Sequence, residues 1–129
     1  MATRSRTYKL RLSADGISLF FDCHARVGRQ ARGLISYGST LFTALNLLAR
    51  QEDGEIGDML QSPETGILAG DITCFVGYPP DLADLVDRIM ERIRASREIG
   101  EPVTVARLYL AALRFLAESD DHEILAAFH

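Results

Sequence analysis

Apolar and polar positions along the chain fall into two kinds of rhythm, and each rhythm occurs twice. Ile72, Cys74 and Val76 alternate with Thr73, Phe75 and Gly77, the period of two that a strand with one buried face requires. Tyr78-Pro79-Pro80 ends that run. Pro80 suits the first turn of a helix, where its missing N–H costs nothing, and Leu82, Leu85, Val86, Ile89, Met90 and Ile93 then follow at helical spacing. The periodicity fails at Glu98-Ile99-Gly100-Glu101-Pro102. Thr104 is placed to cap a further helix carrying Val105, Leu108, Tyr109, Ala112, Leu113 and Leu116.

The same order stands earlier in the chain. Thr7-Tyr8-Lys9-Leu10-Arg11-Leu12-Ser13 alternates with Tyr8, Leu10 and Leu12 on one side and Thr7, Lys9, Arg11 and Ser13 on the other. Asp15-Gly16 marks a turn, after which Ile17, Phe20, Phe21, Val27, Ala31, Leu34 and Ile35 recur at spacings near three and four. Gly28 and Gly33 each weaken that helix by about 1 kcal/mol relative to alanine. After Tyr37-Gly38, Ser39 or Thr40 is placed to cap a helix with Leu41, Phe42, Leu45, Leu47 and Leu48, ending near Arg50. Overlaying Ser39 on Thr104 and Leu12 on Val76 aligns the two stretches as a degenerate internal repeat.

These patterns predict one domain over residues 1–129: a first strand-helix-helix unit at 7–50, an acidic linker at 51–70, a second unit at 71–119 and a tail at 120–129. The linker, rich in Glu, Asp and Gly and holding Pro63, offers only Ile56, Met59 and Leu60 for one docked helical turn. Ile124, Leu125 and Phe128 of the tail can form a short docking helix.

Net charge is −4 overall, which by itself disfavours nucleic acid, but residues 1–50 hold eight basic groups against two acids, a balance of +6. The remainder therefore carries −10. One end can meet a polyanion that the other repels. No apolar run is long enough for a membrane span and the polar start lacks a secretion signal, so the expected setting is cytoplasmic, without membrane contact. Cys23 and Cys74 have neither the number nor the spacing of a disulfide framework or a zinc site, and no metal is expected. Cys23-His24 lies within a helical pattern, where adjacent side chains diverge, and no acid-base or nucleophile constellation converges elsewhere. No Gly-rich loop ending in Lys-Ser or Lys-Thr is present. The chain therefore reads as a non-enzyme without a cofactor. Arg26, Arg29 and Arg32 form a basic stripe read as a solvated helix face, with Asp22 placed to pair with Arg26.

A strand-helix-helix unit cannot bury its apolar faces alone and needs a second copy. Lys9-Leu10-Arg11-Leu12 with Tyr37-Gly38-Ser39-Thr40-Leu41, and Thr73-Cys74-Phe75-Val76 with Pro102-Val103-Thr104-Val105-Ala106, give the chain a pattern that resembles the ribbon-helix-helix family, with both copies on one chain. The tandem order is similar to the small ribbon-helix-helix proteins of the virulence C operon of T-DNA transfer and their conjugal-plasmid relatives. The resemblance implies a mostly α fold with a two-stranded antiparallel ribbon, in which two strand-helix-helix units interlock as a pseudo-symmetric ribbon-helix-helix. It implies a DNA-binding accessory protein of plasmid or T-DNA transfer, with double-stranded DNA and a protein of the transfer complex as partners. A single chain completes the pseudo-dimer, and higher assembly stays open.

Family members place the ribbon in the major groove and clamp phosphates with the starts of their second helices. On this chain the implied base-reading positions are Thr7, Lys9, Arg11, Thr73 and Phe75. The implied phosphate contacts are Gly38, Ser39, Thr40, Val103 and Thr104, with Arg4 and Arg6 in a basic arm. The second strand departs from the pattern, since Thr73 and Phe75 offer one hydroxyl and a ring, and Asp71 repels phosphate. The alternative is a protein-protein adaptor that kept the fold and lost DNA binding.

Overall fold

A computed structural model describes residues 6–97, 99 and 102–128. Strands β1 (Arg6–Leu12) and β2 (Ile72–Tyr78) form a two-stranded antiparallel sheet, in which Lys9 faces Phe75, Leu10 faces Cys74 and Tyr8 faces Val76. Alternation sets the faces of β1 as the sequence predicts, with Leu10 and Leu12 buried and Thr7, Lys9 and Arg11 exposed. In β2 Thr73 and Phe75 are exposed, but of the expected inner residues only Val76 is buried, Cys74 being half-buried and Ile72 46% exposed at the strand's start. Each strand runs one residue out of step with its expected bounds.

Helices α1 (Ala14–Ala31), α2 (Tyr37–Ala49), α3 (Asp53–Gln61) and α4 (Pro63–Gly66) follow β1, and α5 (Pro80–Ala95), α6 (Val105–Glu118) and α7 (Asp121–Phe128) follow β2. Ser13 caps α1, its Oγ accepting from the Gly16 N–H at 3.1 Å and donating to the Ile67 carbonyl at 2.7 Å. That second bond ties the helix start to the segment that leads into β2. The same segment passes so close that a Cβ on Gly70 would lie 2.6 Å from the Ser13 Cα, which leaves room only for glycine. The helix ends at Ala31, short of the Leu34 and Ile35 that periodicity assigned to it. Arg32 turns left-handed (φ 59°) and the Gly33 N–H bonds back to the Gly28 carbonyl, so Leu34 stands in solvent.

The central helix pairing is α2 on α6. α1 lies on α6 and α7, and α5 lies on α2, so each helix that follows a strand packs on a helix from the other half of the chain. Leu41, Ala44, Leu45, Leu48, Leu108, Ala112, Leu113 and Leu116 are all fully buried in the resulting core. Two arginines repeat the crossing. Arg26 of α1 donates to the carbonyls of Leu116, Ala117 and Ser119 and pairs with Asp121 at 3.1 Å, closing the C-terminus of α6. Arg92 of α5 donates to the carbonyls of Ala49 and Gln51 and pairs with Asp53 at 2.7 Å, closing the C-terminus of α2. The arginines stand 66 residues apart, as do the facing pair Lys9 and Phe75 and the helix starts Ala14 and Pro80. Their acceptors stand 68 apart, Ala49 with Ala117, Gln51 with Ser119 and Asp53 with Asp121. Arg26 is therefore not part of a solvated stripe, and its carboxylate partner is Asp121 rather than Asp22.

The stretch expected to be an acidic linker is instead helical and packed. Ile56 and Leu60 of α3 are buried, and Arg107 of α6 donates to the carbonyls of Leu60 (2.6 Å) and Ser62 (3.0 Å). Arg114 reaches Thr65 Oγ1 and Glu64 from the same helix. Apolar anchors few in number suffice there because guanidinium groups bind the carbonyls that helix ends leave open. The tail docks as α7 through Ile124 and Ala127, and Asn46 donates to the Ala127 carbonyl. Among the described residues no helix is long and apolar enough to cross a membrane.

Candidate nucleic-acid interface

Three pairs of residues make up the outward face of the ribbon: Thr7 opposite Gly77, Lys9 opposite Phe75, and Arg11 opposite Thr73. All are exposed. Among the described residues, Lys9 and Arg11 make no ion pair and no side-chain hydrogen bond, so both cations are free for an external acceptor. Phe75 is 66% exposed, and the residue lines an apolar pocket together with Phe21 of α1 and Tyr37 of α2. The buried Leu10, Leu12 and Val76 line it too. Arg6 enters β1 through its backbone opposite Tyr78, and Arg4 lies outside the described residues.

The start of α2 lies beside the end of β2 and the start of α6 beside the end of α3, and the cap of α2 differs from the sequence expectation. The cap of α2 is Ser36, not Ser39 or Thr40: Ser36 Oγ accepts from the Ser39 N–H at 3.1 Å, and the two hydroxyls meet at 2.9 Å. Helix α2 thus begins three residues early, which a Ser-x-x-Ser spacing before the apolar run could have signalled. Thr40 falls on the inner side as a result. It is fully buried and its Oγ1 meets His24 Nδ1 at 2.7 Å, so it cannot touch a phosphate. Gly38 is buried too, and a Cβ there would come 3.1 Å from the Gly77 carbonyl oxygen, so glycine lets the start of α2 approach the end of β2. Ser39, half-buried, lines a cleft with Ser36, Pro79 and Asp81.

At the start of α6, Thr104 is the cap as expected, accepting from the Arg107 N–H at 3.1 Å. Thr104 is exposed and Val103 half-buried, and both line a cleft with Pro102, Gln61 and Arg107. Arg107 is a site residue that periodicity did not reveal. Its guanidinium, held on the α3 carbonyls, adds a fixed positive charge to the N–H groups that open at the start of α6. The α2 cleft has Asp81 instead, a charge that opposes an anion. The two helix starts therefore differ as the ribbon strands do, one better suited to an anion than the other. The sense is reversed, because the basic strand belongs to the first half and the basic helix start to the second.

Cys23 and His24 diverge as adjacent helical residues must. The Cys23 thiol is wholly buried 3.4 Å from the Leu113 carbonyl, and burial pushes its pKa up to about 12. His24 packs against the rings of Phe20 and Tyr37, which also touch each other. Comparison with protein-family models, curated proteins and solved structures finds no match to this chain.

Proposed function

We propose that the chain is a tandem ribbon-helix-helix protein in which two strand-helix-helix units interlock with pseudo-two-fold symmetry, and that it binds duplex DNA through its ribbon as an accessory factor of plasmid or T-DNA transfer. Support for the symmetry comes from the crossed arginines: Arg26 and Arg92 take equivalent carbonyls and equivalent aspartates at constant separations. With α3 and α7 starting at the paired aspartates, the repeated unit extends to a third helix. Support for DNA comes above all from one observation, the pair of unpaired cations Lys9 and Arg11 on an exposed two-stranded ribbon that has the start of α2 beside it. Ser39, Val103, Thr104 and Arg107 are the phosphate contacts this arrangement favours, and a role on intracellular DNA would place the protein in the cytoplasm.

The test is binding to duplex DNA across a salt series, for the native chain and for Lys9→Ala with Arg11→Ala. Loss of two cationic contacts lowers affinity about tenfold or more and flattens the salt dependence by about two ions. Equal, salt-insensitive retention of both proteins would sink the proposal. A protein-protein adaptor is the second possibility, favoured by the exposed Phe21, Tyr37 and Phe75 around one apolar pocket. Binding to a protein of the transfer machinery that Phe75→Ala abolishes, with no duplex bound at any salt, would favour it.

A further inference from the structure

The body of the molecule keeps a correspondence that its ribbon breaks. Arg26 and Arg92 close the second helices through matching carbonyls, yet the outward residues of the two strands do not match. In a symmetric two-stranded ribbon the central residue faces its own copy, and the two ends carry the same side chains. Here the central rung sets Lys9 against Phe75. One end carries Arg11 and Thr73, whereas the other carries Thr7 and the bare backbone of Gly77. A cation lies on one strand only.

Base edges distinguish these groups. Guanine presents N7 and O6 as acceptors to Arg or Lys, while thymine presents a methyl group to an apolar side chain. Phe75 has no donor and is well exposed beside Lys9, so the chemistry it can read is the methyl. The Thr7–Gly77 end has a single hydroxyl and discriminates little. Resting on the DNA proposal above, we infer that the chain recognises an asymmetric duplex site, with guanine under the Lys9–Arg11 side and a thymine methyl under Phe75, and not an inverted repeat. Such a protein binds in one direction along the duplex, which a symmetric dimer on an inverted repeat cannot do.

Duplexes selected by the full chain from a random-sequence pool provide the probe. The expected consensus lacks two-fold symmetry and contains guanine and thymine. Replacing each selected thymine by uracil, which removes only the methyl, weakens the native chain about fourfold at one position, the weight of one buried methyl. Phe75→Ala binds both forms equally, and Phe75→Leu retains the preference. Arg11→Ala loses the preference for guanine over adenine while the thymine effect persists. These positions are exposed, and circular dichroism checks that each variant is folded. An inverted-repeat consensus, or equal binding of thymine and uracil duplexes by the native chain, overturns the inference and leaves the DNA proposal standing. Failure to enrich any duplex overturns both.

Discussion

Cys23 shows how far a side chain's chemistry depends on its surroundings. A thiol beside a histidine in sequence suggests reactivity, but this one is fully buried and its pKa is driven up to about 12 by desolvation, only partly offset by Arg26. In the folded protein it stays neutral where the unfolded chain, near 9, has begun to ionise. The folded pKa is raised, so the full stability contribution is present below about pH 9 and is lost as pH rises toward 12. Stability should fall across that window by about 1.4 kcal/mol per pH unit for this one proton. Denaturant titrations at several alkaline pH values check this, and Cys23→Ala should flatten the early part of the fall. The buried Tyr109, whose pKa is also raised by burial, adds a decline above pH 10 that the variant keeps.

Among the elements, the strands and the two helices of each half were legible because their signals are local. Alternation assigned the inner and outer residues of the first strand and the outer ones of the second, whose Ile72 is exposed, and Thr104 was found as a cap from its place before an apolar run. What escaped was settled by contacts across the chain. Ser36 starts α2 early and so brings Gly38 against Gly77, and α3 and α4 form where composition suggests a linker because α6 supplies Arg107 and Arg114. The crossed arginines give a prediction at this scale. Arg26→Ala and Arg92→Ala each leave several helix-end carbonyls and an aspartate without a partner, and each should cost about 2 kcal/mol. Matched shifts in denaturation midpoint are expected, with additive effects in the double variant since the two sites share no partner. A variant that leaves stability unchanged would show the clamp to be idle.

For the molecule as a whole, the helix crossing has a direct consequence for folding. Helix α1 rests on α6 and α7 and α5 rests on α2, while the two strands pair only with each other. Neither half can bury its apolar faces as a monomer. Fragments 1–66 and 71–129 should each lack the native helical signal as monomers, and mixing them in equal amounts should restore it as a one-to-one complex. Circular dichroism with sedimentation reads both; a monomeric 71–129 fragment with native helicity would contradict the crossing.

The sequence by itself determined the alternation of the strands, the apolar stripes of the main helices and the uneven charge between the two ends, because each depends on residues within a few positions of one another. Tertiary structure alone decided that Arg26 closes a helix about ninety residues away, that Thr40 is buried against His24, and that Lys9 faces Phe75. Those outcomes depend on which distant groups a side chain meets, and periodicity carries no record of the partner. The uneven charge seen in the sequence thereby acquires a place: its free cations stand on one strand of a ribbon whose other strand offers a ring.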